Sequence, residues 1–271
     1  MSASVVATAG ALPLSLLDLG IAASLVLVAG VISVAMRLGL ERKLAIGAVR
    51  TLIQLVLLGY CLEFLIQLDT APLVLGWLGL MITAAGRAAM NRPTRTFRGA
   101  FLRGWAALAL SAVLTTFTVT GAIVGVDPWY DPQYLIPLAG MVLGNSLTGI
   151  SLTVDSLLET LDAKRDEIEC LLSLGATRWE AARGALQQAL RRGMTPILNS
   201  MAVVGMVSIP GMMTGQILAG APPMEAVRYQ IMVMFMLAGA TALGSIIIAW
   251  LIFRRLFNER HQLRADLIIP R

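Results

Sequence analysis

The 271-residue chain is 57 % hydrophobic and only 14 % charged, with a formal net charge of +5, a pI near 9.8 and a mean hydropathy of +0.78. That composition excludes an ordinary soluble domain and points to a polytopic membrane protein. The positive balance reads as membrane topology; no aromatic-studded basic face accompanies it, so nucleic-acid binding is set aside.

Residues 1–10 carry no basic residue ahead of their apolar part and read as a short retained tail, not a secretory signal. A helical bilayer crossing takes about 20 predominantly apolar residues. Seven stretches qualify, beginning near Leu16, Leu44, Pro72, Ala100, Tyr134, Met194 and Ala226. The expected fold is all-α, a polytopic bundle of about seven transmembrane helices in one domain spanning residues 1–271. An odd number of spans, with no fixed-period repeat, weakens a secondary transporter built from inverted repeats. Basic residues collect in alternate loops, at Arg37, Arg42 and Lys43, then from Arg87 to Arg103, from Lys164 to Arg192, and at Arg254, Arg255, Arg260, Arg264 and Arg271. The loops between them carry Asp69, Asp127, Asp131 and Glu225 but no Lys or Arg. Because Lys and Arg stay on the cytoplasmic side of short loops, the N-terminus is expected outside and the C-terminus inside.

Polar groups in the hydrocarbon region are costly and usually face protein or water. In the second span Gly47, Arg50, Gln54 and Cys61 share one side, while Glu63 points nearly opposite. Arg50 lies close enough to Lys43 either to snorkel to the headgroups or to meet a substrate. In the fifth span Pro137, Gly140, Gly144, Thr148, Ser151 and Asp155 form a narrow stripe at about 100° per residue, with Asn145 at its margin. Close helix packing through small residues and a translocation path both account for this face. The substrate-path candidates are therefore Arg50, Gln54, Gly144, Asn145, Thr148, Ser151 and Asp155.

Residues 159–192 form a charged, amphipathic interruption between apolar stretches. Ile168, Leu171, Leu172, Trp179, Ala182, Leu186 and Leu190 recur at helical spacing, with Lys164, Arg165, Glu167, Arg178 and Arg183 between them. One break is expected. Gly175 suits the left-handed residue that ends a helix, and Thr177 with Glu180 three residues on is the reciprocal capping pair that starts another. The run Glu169-Cys-Leu-Leu-Ser-Leu-Gly175 resembles the Glu-Ala-Ala-x-x-x-Gly loop by which ABC transporter permeases dock on their ATPases. The coupling candidates are Glu169, Leu174, Gly175, Ala176, Thr177 and Glu180; a helix lying on lipid is the other reading. In the sixth span Pro196, Asn199, Ser200 and Ser208-Ile-Pro210-Gly211 predict a kink or break near Pro210. Met201, Met206, Met212, Met213, Met232, Met234 and Met236 crowd the last two spans and suit lipid contact or gap filling better than a soft-metal site.

The one histidine, His261, sits in the Arg-rich tail, so a serine dyad around Gly144-Asn-Ser146 finds no base. No Cys-x-x-Cys and no His-carboxylate cluster offers a tight zinc or haem site. Cys61 and Cys170 fall in different environments and are expected as free thiols. Without Gly-x-x-x-x-Gly-Lys-Ser/Thr the chain has no nucleotide cradle of its own. The reading is therefore not an enzyme but a permease subunit, served by ATP and Mg on another polypeptide, with a second copy of itself completing the pathway among membrane lipids.

Four stretches together carry a more specific resemblance: Gly47-Ala-Val-Arg50-Thr-Leu-Ile-Gln54-Leu, Gly140-Met-Val-Leu-Gly144-Asn-Ser-Leu-Thr-Gly149, Leu174-Gly-Ala-Thr177, and the run from Asn199 through Val204-Gly205, Ser208-Ile-Pro210 and Gln216. They resemble the FetB/YbbM-type permeases, which are similar to plant STAR-type aluminium-tolerance permeases. The resemblance implies a half-transporter in the plasma membrane, the inner membrane of a bacterium. It implies pairing with a separate FetA-like ATPase and export of iron or another metal. Cys170 and Leu171 replace the two alanines of the general permease loop, a departure that separates this chain from importer permeases. A permease for a small organic solute and a membrane scaffold recruiting a cytoplasmic partner are the alternatives.

Overall fold

The computed structural model describes residues 15–270, so the tail expected at residues 1–10 lies outside the described residues. Among the described residues the fold is all-α apart from one small sheet. Helix α1 (Leu16–Ala35) opens on a capping box between Ser15 and Asp18, and α2 (Glu41–Leu68) follows after a short turn. That turn is tied by Ser33, whose hydroxyl donates to Glu41 Oε2 at 3.0 Å and accepts from the Leu40 N–H at 2.9 Å. Next come α3 (Ala71–Asn91), strand β1 (Arg95–Phe97) and α4 (Ala100–Phe117), which runs on as a π-helical turn over Thr118–Val124. The chain then forms α5 (Pro132–Ala163), α6 (Arg165–Ser173), α7 (Arg178–Val203), α8 (Gly211–Leu218), α9 (Pro223–Leu256) and strand β2 (Ile268–Pro270).

The packed centre is the α5, α7 and α9 trio, with α3 and α4 against its flank. Lipid tails are as apolar as leucine, so hydrophobic burial cannot draw these helices together; close contact must. Small residues permit it. A Cβ at Gly149 would meet Thr241 Cγ2 at 2.5 Å and the Gly193 carbonyl at 3.1 Å, and one at Gly193 would run into Thr153, the Gly149 carbonyl and Ser245. Two buried hydroxyls at this crossing bond their own helices, Thr153 to the Gly149 carbonyl at 2.8 Å and Thr241 to that of Leu237 at 2.7 Å.

The hairpin of α1 and α2 behaves differently. Of the most apolar window in each helix, 61 % is buried in α5 and 50 % in α9, but only 6 % in α1 and in α2. Helix α2 reaches the bundle near its C-terminal end, where Leu65 packs with Val74, Leu135 and Ile136.

Among the described residues six helices are long and apolar enough to cross a membrane: α1, α2, α3, α4 with its π turn, α5 and α9. The seventh stretch, expected from Met194, is corrected: it is not one helix. The amphipathic α7 runs through Met194 as far as Val203, a loop occupies residues 204–210, and α8 is eight residues long. Gly205 at φ +84° turns the chain out of the helix, and the N–H groups of Val207 and Ser208 both fold back on the Val203 carbonyl. The break thus precedes Pro210, which instead leads into α8. Cys61 and Cys170 are free thiols.

Candidate functional site

Two breaks divide residues 159–192, where one was expected. Helix α5 runs unbroken through residue 159 to Ala163; the chain turns at Lys164, whose N–H closes the last turn on the Thr160 carbonyl at 3.0 Å. Helix α6 then ends as the sequence implies. The Ala176 N–H bonds the Leu171 carbonyl at 3.0 Å and the Gly175 N–H that of Leu172 at 3.1 Å, with Gly175 left-handed at φ +94°. This is a Schellman closure, and it satisfies carbonyls that a helix end leaves without partners.

Two residues later α7 starts. Thr177 donates to Glu180 Oε2 through its N–H and through its hydroxyl, each at 2.8 Å, and that hydroxyl accepts from the Glu180 N–H at 3.3 Å. The backbone bond first and the hydroxyl second hold the Glu180 carboxyl below the ordinary glutamate range. Glu169 pairs with Arg165 at 2.7 Å on the exposed side of α6. Ile168, Ala182 and Leu186 are buried, whereas Leu174 is 79 % and Trp179 55 % exposed. The helix-turn-helix is thus anchored on one side and bare on the other, with two large apolar side chains at its tip. Trp179 meets the Phe253 ring edge-on at a centroid distance of 5.7 Å, which fixes the indole against the end of α9.

The α5 stripe divides on inspection. Ser151 is buried and donates to the Ala89 carbonyl at 2.8 Å, which makes it a packing contact with α3. Gly144 is exposed with nothing within 4 Å of a Cβ built on it, and Thr148 and Asn145 are half-buried, bonded to the carbonyls of Gly144 and Met141 at 3.2 and 3.0 Å. Asp155 accepts from the Thr94 N–H at 2.8 Å and the Thr94 hydroxyl at 2.9 Å through one oxygen, and Arg92 reaches Thr148 at 3.4 Å. A cleft of about 110 Å³ lies among Arg92, Pro93, Thr148, Ser151, Leu152 and Asp155. Gly144, Thr148 and Asp155 therefore share a face that is open in the single chain, whereas Ser151 is closed off by α3. Arg50 and Gln54 are exposed on α2, with no ion pair or hydrogen bond among the described residues. They lie before the part of α2 that touches the bundle, so the single chain does not join them to the α5 stripe.

Sequence reasoning missed the C-terminal tail. The Arg178 N–H donates to His261 Nδ1 at 2.9 Å and its guanidinium to the Asn258 carbonyl at 3.3 Å. Strand β2 pairs antiparallel with β1, placing Ile268 opposite Phe97, Ile269 opposite Thr96 and Pro270 opposite Arg95. The sole histidine next to Asn258 and Gln262, followed by two isoleucines and a proline, was the only signal available.

Residues 16–257 match the family described as "Uncharacterised protein family (UPF0014)". The chain is 38 % identical over 214 residues to "UPF0014 membrane protein slr1647" of Synechocystis, covering 79 % of this chain and 83 % of that protein. It is 34 % identical over 250 residues to "Probable iron export permease protein FetB" of Escherichia coli, covering 91 % and 93 %. With "UPF0014 membrane protein STAR2" of rice it shares 34 % over 242 residues, covering 89 % and 84 %. No solved structure matches. Family match, extent of similarity and six candidate spans agree, and the chain belongs to the UPF0014 family of integral membrane proteins.

Proposed function

We propose that the chain is the membrane subunit of an ATP-driven exporter of iron or a related metal ion, powered by a separate FetA-like ATP-binding subunit. The observation that carries this reading is the helix-turn-helix between α6 and α7. Its closure and capping box make it rigid, its inner side is anchored on the bundle, and Leu174 and Trp179 are left bare at its tip. An exposed aromatic beside an exposed aliphatic on a rigid turn has the chemistry of an interface anchor. The similarity to a protein named as a probable iron export permease supports iron as the cargo. ATP and Mg reside on the partner; the cation is cargo, held weakly enough to leave.

Two copies complete the unit in this reading. Arg50 stands exposed inside a candidate span, a position that lipid alone solvates poorly, and α1 and α2 bury almost nothing within one chain. The orientation that fits puts the α6–α7 turn and the C-terminal tail in the cytoplasm of a bacterial cell, on the side where basic residues collect.

The test is reconstitution of the chain with its ATP-binding subunit in proteoliposomes loaded with ferrous ions. ATP-dependent movement of iron by the pair, and by neither chain alone, is the expected result. Movement of an organic solute but not of metal would transfer the reading to a solute permease, and association without transport would leave a scaffold. An alkaline phosphatase fusion in the 125–131 loop should be active, whereas an active fusion after Arg98 would reverse the orientation.

A further inference from the structure

We propose that residues 257–270 form a strap that fixes the docking turn relative to the loop at residues 92–97 on the open face of α5, with His261 and Asn258 as its positioning residues. The proposal rests on the reading of that turn as the ATPase contact. It begins with an unmet need at the start of α7. The first N–H groups of a helix have no partner within it, and the capping box serves those of Thr177 and Glu180 but not that of Arg178. His261 supplies the missing acceptor from 83 residues away. Because the donor is a peptide N–H, Nδ1 must present its lone pair, which places the ring proton on Nε2.

The strap is built to hold that ring in place. His261 has a left-handed backbone at φ +55°, a conformation unfavourable for a side-chain-bearing residue, and therefore needs support. Asn258 provides it: its N–H donates to the Gln262 carbonyl at 3.1 Å, its side-chain oxygen accepts from the Gln262 N–H at 2.9 Å, and its side-chain nitrogen donates to Gln262 Oε1 at 2.8 Å. The Arg178 guanidinium grips the same turn through the Asn258 carbonyl and lies over the Phe253 ring, so backbone and side chain of one residue both bind the strap. Arg264 then bonds back to the Leu256 carbonyl at 2.7 Å, over the end of α9.

The far end of the strap lies on the pathway side. Strand β2 holds β1. Thr94, just before β1, caps Asp155, and Arg95 in β1 pairs with Asp162 at 2.9 Å; both carboxylates belong to α5. Ten residues, 261–270, thus connect the start of α7 to the groups around Asp155. A displacement of the turn by a docked ATPase reaches the 92–97 loop through this connection as well as through the helices.

The test uses the full permease with its ATP-binding subunit in proteoliposomes, ferrous ions as cargo, and three variants: His261→Ala, His261→Asn, and a stop after Arg264 that removes β2 but spares the His261 turn. His261→Ala is expected to bind the ATP-binding subunit as wild type does, while ions moved per ATP fall below wild type, because the strap loses its bond to the start of α7. His261→Asn restores the ratio, since asparagine offers an acceptor and tolerates the left-handed backbone. Amide exchange at residues 94–97 responds to the ATP-bound partner in wild type and ceases to respond in the truncated chain. Wild-type ions per ATP in both His261→Ala and the truncation would overturn the strap, as would a loss that His261→Asn leaves unrelieved. A wild-type chain that fails to bind the ATP-binding subunit would instead overturn the docking reading beneath it.

Discussion

Helices α1 and α9 are about equally apolar, yet half of α9's apolar window is buried and almost none of α1's. What separates them is whether their small residues meet a partner, since α1 also carries Gly20 and Gly30 but nothing lies within 4 Å of a Cβ at either. Helix α9 brings Thr241, Gly244 and Ser245 to the crossing with α5 and α7, where Gly149 and Gly193 let backbones approach. Helices α1 and α2 present Leu, Ile and Val on most sides, including Leu25, Val31, Leu52, Ile53 and Val56. Hydropathy selects the membrane as solvent, and small residues matched across a crossing, as Gly149 and Gly193 are with Thr153, Thr241 and Ser245, let helices leave lipid for one another. Helix α5 divides in the same manner, with Gly149 and Thr153 inside the trio and Gly144 and Thr148 on an open face.

The most direct way to break that comparison is to enlarge one glycine in each region. Gly193→Val should cost about 3 kcal/mol or more, because its side chain must displace Thr153, Ser245 and the Gly149 carbonyl in a crossing with no slack. Gly59→Val, on α2 with nothing within 4 Å, should change the stability of the single chain by less than about 0.5 kcal/mol. Thermal unfolding in detergent compares them. Equal losses would mean that α2 is as tightly enclosed as α7.

An intermediate effect is expected at the turn between α6 and α7, which is anchored on the trio but built from local rules. Gly175→Val puts a β-branched residue at φ +94° and should cost about 1–2 kcal/mol. Thr177→Ala removes a cap worth about 0.5–2 kcal/mol. Both variants should insert normally yet lose ATP-driven transport; unchanged transport would detach the turn from coupling. Acidification reaches the same element more gently. Glu180 has its carboxyl held below the ordinary glutamate range by Thr177, so its contribution is present at pH values above that range. It is lost as the pH falls through the folded-state value. The protection of the Thr177 and Glu180 amides, taken relative to the intrinsic exchange rate at each pH, should therefore fall in acid and be flat from neutral pH upward.

These regions also differ in how far they could be read from the sequence. The turn at Gly175 and the box of Thr177 and Glu180 were legible because each depends on residues within a few positions of one another. Hydropathy reads seven spans; six are single long helices, and the stretch from Met194 is not. An apolar average cannot register that Gly205 turns left-handed inside it, although Pro210 does mark the break, which occupies residues 204–210. The tail was illegible for a different reason: β1 and β2 are separated by about 170 residues, and His261 meets Arg178 from the far end of the chain. Thr94 as the partner of Asp155 belongs with these. Polarity and spacing located the α5 stripe, but only the fold separates Ser151, committed to Ala89, from Thr148 on the open face.

The smallest structural change is expected at Asp155, on that open face, where it tests the pathway reading. Its carboxylate receives both Thr94 bonds at a single oxygen. Asparagine also carries one carbonyl oxygen with two lone pairs, so Asp155→Asn can keep both bonds while removing the charge. Alanine cannot, and Asp155→Ala should cost about 1–3 kcal/mol by leaving the Thr94 donors unmet. Asparagine should stay within about 0.5 kcal/mol of wild type. The pair of variants therefore separates the carboxylate as a clamp for the loop from the carboxylate as a charge for a cation. If the face lines the pathway, Asp155→Asn cells should accumulate iron while the purified protein melts at the wild-type temperature. A cysteine in place of Thr148 should then react with water-soluble thiol reagents at a rate that changes with nucleotide on the partner. Wild-type export by Asp155→Asn, together with an inert Thr148→Cys in every nucleotide state, would show that the charge does no work there. The open face of α5 would then be a seat for the second copy, and the metal would have to cross elsewhere.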